Sequence, residues 1–306
     1  MKNLFSNLLL SILAISFCFF ISELYFRYFY AESNGLGVTL AHKKWGDLYW
    51  KPINSLGLRD KEWKESELKD KKIIAVIGDS FPAGHGIKDV KDRFSDVLAS
   101  KLGKEYAVLN IALPGWGTET ELLAFKYFVS GRHFKFDTVI WSYFPNDIFD
   151  AAEHFGKKPP DKIAIPEGIT GRLISSSYFL NFVYWNIFKI NSLKNNYFDV
   201  LIELFNDPKI WDLHKKEIEQ ICLDVNNSRA KLIVVTFPLL THKTNSTVLL
   251  ERVKEIFNQN NVPVFDVSEV IKDLKENEVV VSKNDAHPSI KLHKLVAKKL
   301  YETITN

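Results

Sequence analysis

The feature that most restricts the fold is a recurring pair: a short, unbroken apolar run followed by a stretch of helical spacing. Ile73–Ile77 reads Ile-Ile-Ala-Val-Ile. Such a run is too short for a buried helix and lacks the alternation of a half-wet strand, so it predicts a strand buried on both faces. The same reading places strands at 106–112, 138–144, 232–237 and 262–267. It places helices at 93–102, 119–129, 248–258 and 290–304, with Pro288 just ahead of the last, near where helix starts tolerate proline. Strands alternating with helices predict an α/β domain: a five-stranded parallel sheet covered on both faces. Sheets of this kind bind ligands at the carboxyl ends of their strands.

Two stretches break the alternation. Residues 31–71, punctuated by Gly35, Gly37, Pro52 and Gly57, read as a connector. Residues 151–210 read as an insertion. Within it, 178–190 carries Tyr178, Phe179, Phe182, Tyr184, Trp185 and Phe188 and is too short to cross a membrane. Aromatic residues at helical spacing are usually core, so the expectation is a helix packed on the domain core. A cap over the site and a surface that touches the bilayer are the alternatives.

The run from Leu4 to Ile21, interrupted only by Ser6, Asn7, Ser11 and Ser16, is close to the length that spans a bilayer as a transmembrane helix. Ile21-Ser22-Glu23-Leu24 offers no small-residue cleavage site. Tyr25, Phe26, Tyr28, Phe29 and Tyr30 would form an interfacial belt, with Arg27 reaching the headgroups. A retained anchor is expected over 1–30, then the connector 31–71, then a catalytic domain at 72–306. Lys2 favours an inside N-terminus and an extracytoplasmic domain.

Composition excludes some classes. The 40 basic and 37 acidic side chains nearly balance, at a formal net charge of +3, and they interleave, so no basic stripe for nucleic acid is present. The two cysteines, Cys18 and Cys222, supply neither a disulfide framework nor a thiolate metal site.

Chemistry collects at predicted strand ends: Gly78-Asp79-Ser80 after the first, Asn110 to Gly115 closing the second, Phe144-Pro145-Asn146-Asp147 after the third, and Asp285-Ala286-His287-Pro288 before the last helix. A parallel sheet brings all four to one edge. A serine hydroxyl needs a base; His287 fits, since imidazole titrates near neutrality, and Asp285 can orient it. Residues two apart in extended chain share a side. The oxyanion donors expected are the backbone N–H groups of Ser80 and Gly115 and the Asn146 amide. Taken singly, Ser80, Asn146 and Asp147 suit helix caps, Gly115 suits a turn, and His287 suits a surface loop. Together, in this order, they predict an active site. His85 and His293 are the rival bases by position, but neither lies in a loop suited to the role.

This set of motifs resembles the SGNH hydrolases, the GDSL lipase/esterase superfamily, over roughly residues 50–304. Asn54-Ser55-Leu56-Gly57-Leu58-Arg59 and Ser80-Phe81-Pro82-Ala83-Gly84-His85-Gly86 are similar to those of membrane-anchored bacterial members. The resemblance implies a flavodoxin-like α/β/α sandwich, catalytic Ser80 and His287, an oxyanion hole from Ser80, Gly115 and Asn146, and no metal or organic cofactor. Two positions depart from the family pattern. Phe144 stands where a glycine is usual, and Asp285 lies two residues before His287 rather than three. The shorter spacing resembles that of relatives that transfer acetyl groups on exopolysaccharides. The leading expectation is a serine esterase acting on an acyl ester of a glycan or lipid. An O-acyltransferase on cell-surface or exopolysaccharide glycans would use the same residues, and a catalytically silent binding module would keep the fold alone. No phosphate-cradling loop follows the first strand, against a nucleotide binder.

Overall fold

Strands β1 (Lys72–Gly78), β2 (Tyr106–Ala112), β3 (Thr138–Tyr143), β4 (Lys231–Thr236) and β5 (Val264–Asp266) form one parallel sheet in the order β2-β1-β3-β4-β5. The computed structural model describes residues 2–35, 37–159, 165–241 and 243–305, with side chains described except at 2–3, 188–196 and 243–245. The unbroken apolar run of β1 has the predicted cause: Ile74, Ala75, Val76 and Ile77 are all essentially inaccessible, as a central strand covered on both faces requires. From β1 the chain goes one way to β2 and then returns past β1 to β3. Right-handed crossovers therefore put the Phe94–Leu102 helix on one face and the Thr118–Lys126 and Pro208–Asn227 helices on the other. The closing Ile290–Thr305 helix packs beside Phe94–Leu102. This is an α/β/α sandwich, and its strand order reverses between β1 and β3, where such sheets open a ligand crevice.

Several elements escape the sequence reading, among them the ten-residue helix Leu40–Tyr49 inside the expected connector and two that follow β3 in the chain. Pro208–Asn227 is a long helix capped by Asp207, whose carboxylate accepts from the N–H groups of Lys209 and Ile210. Ile210, Ile218, Ile221 and Val225 on one face are fully buried. The second is an antiparallel pair, β6 (Val280–Ser282) and β7 (Asp285–Pro288).

By internal packing the chain divides into two compact units, 1–48 with 161–195 and 49–160 with 196–306. The parallel sheet lies in the second. In the first, the Lys2–Leu24 helix runs into a wider turn at Tyr25–Phe29, and Gly168–Ser176 and Tyr178–Val183 form two short helices. The aromatic stretch read as a core helix has different partners. Phe182 lies 4.3 Å from Phe26 and 5.4 Å from Tyr30 by ring centroids, and Phe179 lies 5.5 Å from Phe19 and 5.8 Å from Phe26. Glu23 explains the pairing. Its carboxylate accepts from Ser177 Oγ at 2.7 Å and from the N–H groups of Tyr178 and Phe179 at 3.2 and 3.0 Å. It thus caps, from far away in sequence, the orphan donors at the start of the Tyr178–Val183 helix. Arg27 completes the joint, pairing with Glu23 at 2.6 Å and donating to Ser176 O at 2.9 Å. Residues 160–164 and the side chains of Phe188 and Ile190, part of the expected insertion, lie outside the described residues.

Candidate active site

β1 ends at Gly78, paired with Ala112 of β2 and Ser142 of β3. Asp79 follows and caps a single helical turn, Ser80–Ala83, by accepting from Phe81 N–H at 2.9 Å. The turn puts Ser80 at the sheet's carboxyl edge. It also returns the chain: His85 N–H donates to Ser80 O at 3.0 Å. Across the crevice, β7 keeps Asp285 and His287 on one side, as extended chain predicts. His287 Nε2 lies 2.8 Å from Ser80 Oγ, and His287 Nδ1 lies 2.6 Å from Asp285 Oδ1. Asp285 is fully buried, while Ser80 and His287 keep 7% and 9% of their surface exposed. The serine and histidine residues therefore keep a little exposed surface, whereas the aspartate is sealed. Asp285 Oδ1 also accepts from His287 N–H at 3.2 Å. One oxygen thus holds the residue by backbone and ring, and this network assigns the ring proton to Nδ1 and leaves Nε2 to accept from Ser80.

The expected oxyanion donors come to the same edge. Asn146 Nδ2 donates to Asp79 Oδ2 at 3.2 Å, and Ser80 Oγ lies 3.3 Å from that same oxygen. Asp79 therefore sets the Asn146 amide beside the serine, and the second Nδ2 hydrogen is a further donor. Asp79 is fully buried, and burial raises its carboxyl above the ordinary range against the hydrogen bonds that lower it. Nothing in the sequence reading gave Asp79 a role. Gly115 follows β2, whose end is tied to the nucleophile strand by Leu113 N–H donating to Gly78 O at 3.3 Å. Gly115 takes φ +87°, in the left-handed region that disfavours a Cβ.

Phe144 in place of glycine is accommodated without strain. Its backbone is extended at φ −130°, ψ 146°, which any residue adopts, and its ring packs on Phe81 with centroids 4.2 Å apart. Asp147 turns inward and accepts from Phe144 N–H at 3.1 Å. Asp147 and Glu121 are buried, and burial pushes both carboxyls well above the usual range, with repulsion from Asp79 adding to Glu121 and repulsion from Glu121 and Asp79 adding to Asp147. Glu121 is held by Trp141 Nε1 at 2.6 Å.

Of the two rival histidines, His293 is sealed in the closing helix, where Nδ1 accepts from Phe94 N–H at 3.1 Å. His85 differs from expectation. Its ring stacks on His287 with centroids 4.0 Å apart, and its Nε2 lies 3.8 Å from Asp285 Oδ2. The loop reaches the site because Gly86, at φ +84°, approaches the hairpin closely: a Cβ there would sit 2.5 Å from Val281 Cγ2 and 3.0 Å from Asp285 Oδ2. Arg59 of the upstream motif holds this loop from behind, donating to Gly84 O at 2.5 Å and Ile87 O at 2.7 Å. Burial, with Arg93 nearby, lowers Arg59 to about 10. His85, Asp285 and His287 also form a compact donor set of the kind that can hold a cation, but the hydrogen bonds of His287 to Ser80 and Asp285 already use both ring nitrogens.

No protein-family model matches the chain, and no curated protein matches it. Solved structures do. TesA is similar at 13% identity and a TM-score of 0.48, covering 76% of this chain and 98% of that one. The acetyl xylan esterase AlAXEase is similar at 13% identity and 0.47, covering 76% and 99%. A lipase/acylhydrolase from Enterococcus faecalis is similar at 16% identity and 0.45, covering 76% and 95%.

Proposed function

We propose that the chain is a membrane-anchored serine ester hydrolase of the SGNH type, with Ser80 as nucleophile. The observation that carries this reading is the continuous line from Ser80 Oγ through His287 to the buried Asp285, at 2.8 and 2.6 Å. In the reaction, His287 Nε2 takes the Ser80 proton as Oγ attacks the ester carbonyl, and Asp285 stabilises the imidazolium that forms. The oxyanion is met by the N–H groups of Ser80 and Gly115 and by Asn146 Nδ2. His287 then returns the proton to the leaving alcohol. Water, deprotonated by the same ring, releases the acid from the acyl-serine. Every step uses groups of this chain, and none calls for a metal or organic cofactor.

The anchor is the helix over Leu4–Tyr28, with a mean hydropathy of 2.3 and its apolar stretch unburied, long enough to cross a bilayer. Glu23 supports its retention, since cleavage after the apolar run would remove the cap of the Tyr178–Val183 helix or the span that positions it. Lys2, just ahead of the apolar run, favours a domain on the extracytoplasmic side.

The test is labelling of the full chain with a fluorophosphonate, which phosphonylates only an activated serine. Labelling is expected in the parent chain and absent in Ser80→Ala with the fold unchanged by circular dichroism. Equal labelling of both would overturn the assignment, and no labelling of the folded parent would point to a silent module.

A further inference from the structure

The first compact unit carries apolar side chains that its own packing does not cover. In the Gly168–Ser176 helix, Gly171 and Ile174 face inward and are buried, while Ile169 and Leu173 remain 77% and 52% exposed. These two are four residues apart and share a helix face. Arg172, on the same helix, is exposed as well. A short helix with apolar side chains on both faces is not a design for water.

Its location says what covers the outer face. Phe179 packs on Phe19, and Phe19 lies inside the apolar run rather than beyond its end. Ser177, which closes the Gly168–Ser176 helix, donates to Glu23 at 2.7 Å, directly after that run. The helix end is thus pinned at the level where the span leaves the hydrocarbon. A helix rises about 1.5 Å per residue, so Leu173 stands no more than about 6 Å along the axis from Ser177, and Ile169 no more than about 12 Å. The headgroup zone on each side of a bilayer is of similar depth, roughly 5–8 Å. If the helix runs outward or along the surface, Leu173 stays within that zone, and if it runs inward, Leu173 enters the acyl region; in either case the side chain meets lipid.

We propose that the Gly168–Ser176 helix is an interfacial element that lies in the bilayer surface beside the span, with Leu173 and Ile169 in contact with lipid and Arg172 among the headgroups. The proposal rests on the reading of Leu4–Tyr28 as a membrane span. Glu23 and Arg27 are then the joint that fixes the interfacial helix to the anchor.

The experiment places nitroxide labels one at a time at Leu173→Cys, Ile169→Cys, Leu13→Cys and Lys298→Cys. The parent is the full chain carrying Cys18→Ser and Cys222→Ala, reconstituted in dioleoylphosphatidylcholine vesicles, with circular dichroism matching the parent for each variant. Accessibility to oxygen, which partitions into lipid, is compared with accessibility to a water-soluble nickel chelate. The expected result is that oxygen dominates by several-fold at Leu13 and Leu173, with Ile169 intermediate, and that the chelate dominates at Lys298. Lipid exposure at Leu13 with chelate exposure at both Leu173 and Ile169 overturns the interfacial helix and leaves the anchor standing. Chelate exposure at Leu13 removes the anchor and this proposal with it. Protection of Leu173 and Ile169 from both reagents, with dipolar broadening between labels, assigns the face to a second copy of the chain and also overturns it.

Discussion

Replacing Asp285 by asparagine tests how the candidate base is held. Asp285 Oδ1 accepts two hydrogens, from His287 N–H at 3.2 Å and from Nδ1 at 2.6 Å. The introduced amide can satisfy both only by keeping its carbonyl oxygen there, which turns its NH₂ toward the site of Oδ2, 3.8 Å from His85 Nε2. The backbone contact thus selects the orientation that preserves the ring tautomer, and the substitution removes charge alone. A unit charge about 4 Å from the imidazolium contributes about 4 kcal/mol at an effective dielectric of 20, and the amide dipole retains part of it. A net loss of about 3 kcal/mol lowers kcat on the order of 100-fold. Asp285→Ala also frees the tautomer and should cost about 10,000-fold, as loss of an orienting acid does in serine hydrolases. The assay is pre-steady-state acylation by p-nitrophenyl acetate on wild type and both variants, with folding checked by circular dichroism. Equal damage in the asparagine and alanine variants would show that the amide turns over and that the two-donor argument is wrong. Near-normal kcat in both would remove Asp285 from the machinery.

Asn146→Ala should lower kcat by about two to three orders of magnitude with KM little changed, the cost of one oxyanion donor; a loss confined to KM would make Asn146 a substrate-binding residue. His85→Ala should lower kcat by up to about tenfold, because an aromatic pair contributes about 0.5–1.5 kcal/mol and the ring stacked on His287 restrains it. An unchanged kcat and pH profile would leave His85 as packing only. Burial depresses His293 to about 3, so the folded state keeps it neutral while the unfolded chain takes up a proton near its ordinary 6.5. Between those values the unfolded state binds more protons, and stability falls as pH drops, by about 1.4 kcal/mol per pH unit from this residue. His293→Phe strands the Phe94 N–H and should cost about 1–3 kcal/mol at pH 8, but its deficit against wild type should shrink by about 2 kcal/mol between pH 6.5 and 5. Urea unfolding at the three pH values reads this directly, and a pH-independent gap would refute it.

The sheet was legible because its strands are buried on both faces: Ile73–Ile77 has no polar position to blur the pattern. The convergence of Ser80 and Asn146 follows from topology, since residues after neighbouring parallel strands must share an edge; His287 is brought to them by the antiparallel β6–β7 pair, which the apolar pattern does not reveal. What was hidden depended on contacts made across long sequence separations. Sequence position alone argues against His85, because five residues past the nucleophile suggests a helix position; the Ser80–Ala83 helix closes after one turn and the loop doubles back. Asp79 sat in a recognised motif, yet its grip on Asn146 needs β1 and β3 side by side. The aromatic stretch beginning at Tyr178 looked like core because composition records only that rings are buried, whereas its partner is chosen by one carboxylate, Glu23, more than a hundred residues earlier.

That carboxylate sets an order of events during biosynthesis. Glu23 is made early, but its hydrogen-bond donors at Ser177, Tyr178 and Phe179 are separated from it by 154 to 156 residues. At synthesis rates of about 5–20 residues per second, roughly 8–30 seconds pass before they exist. Throughout that interval Glu23 stands at the end of an apolar helix with Arg27, one turn on, as the local ion-pair partner it already has. The unit of residues 1–48 with 161–195 therefore cannot assemble from the N-terminus forward. It closes only when residues 177–179 have been made, after β1, β2 and β3 have been synthesised and can already have paired.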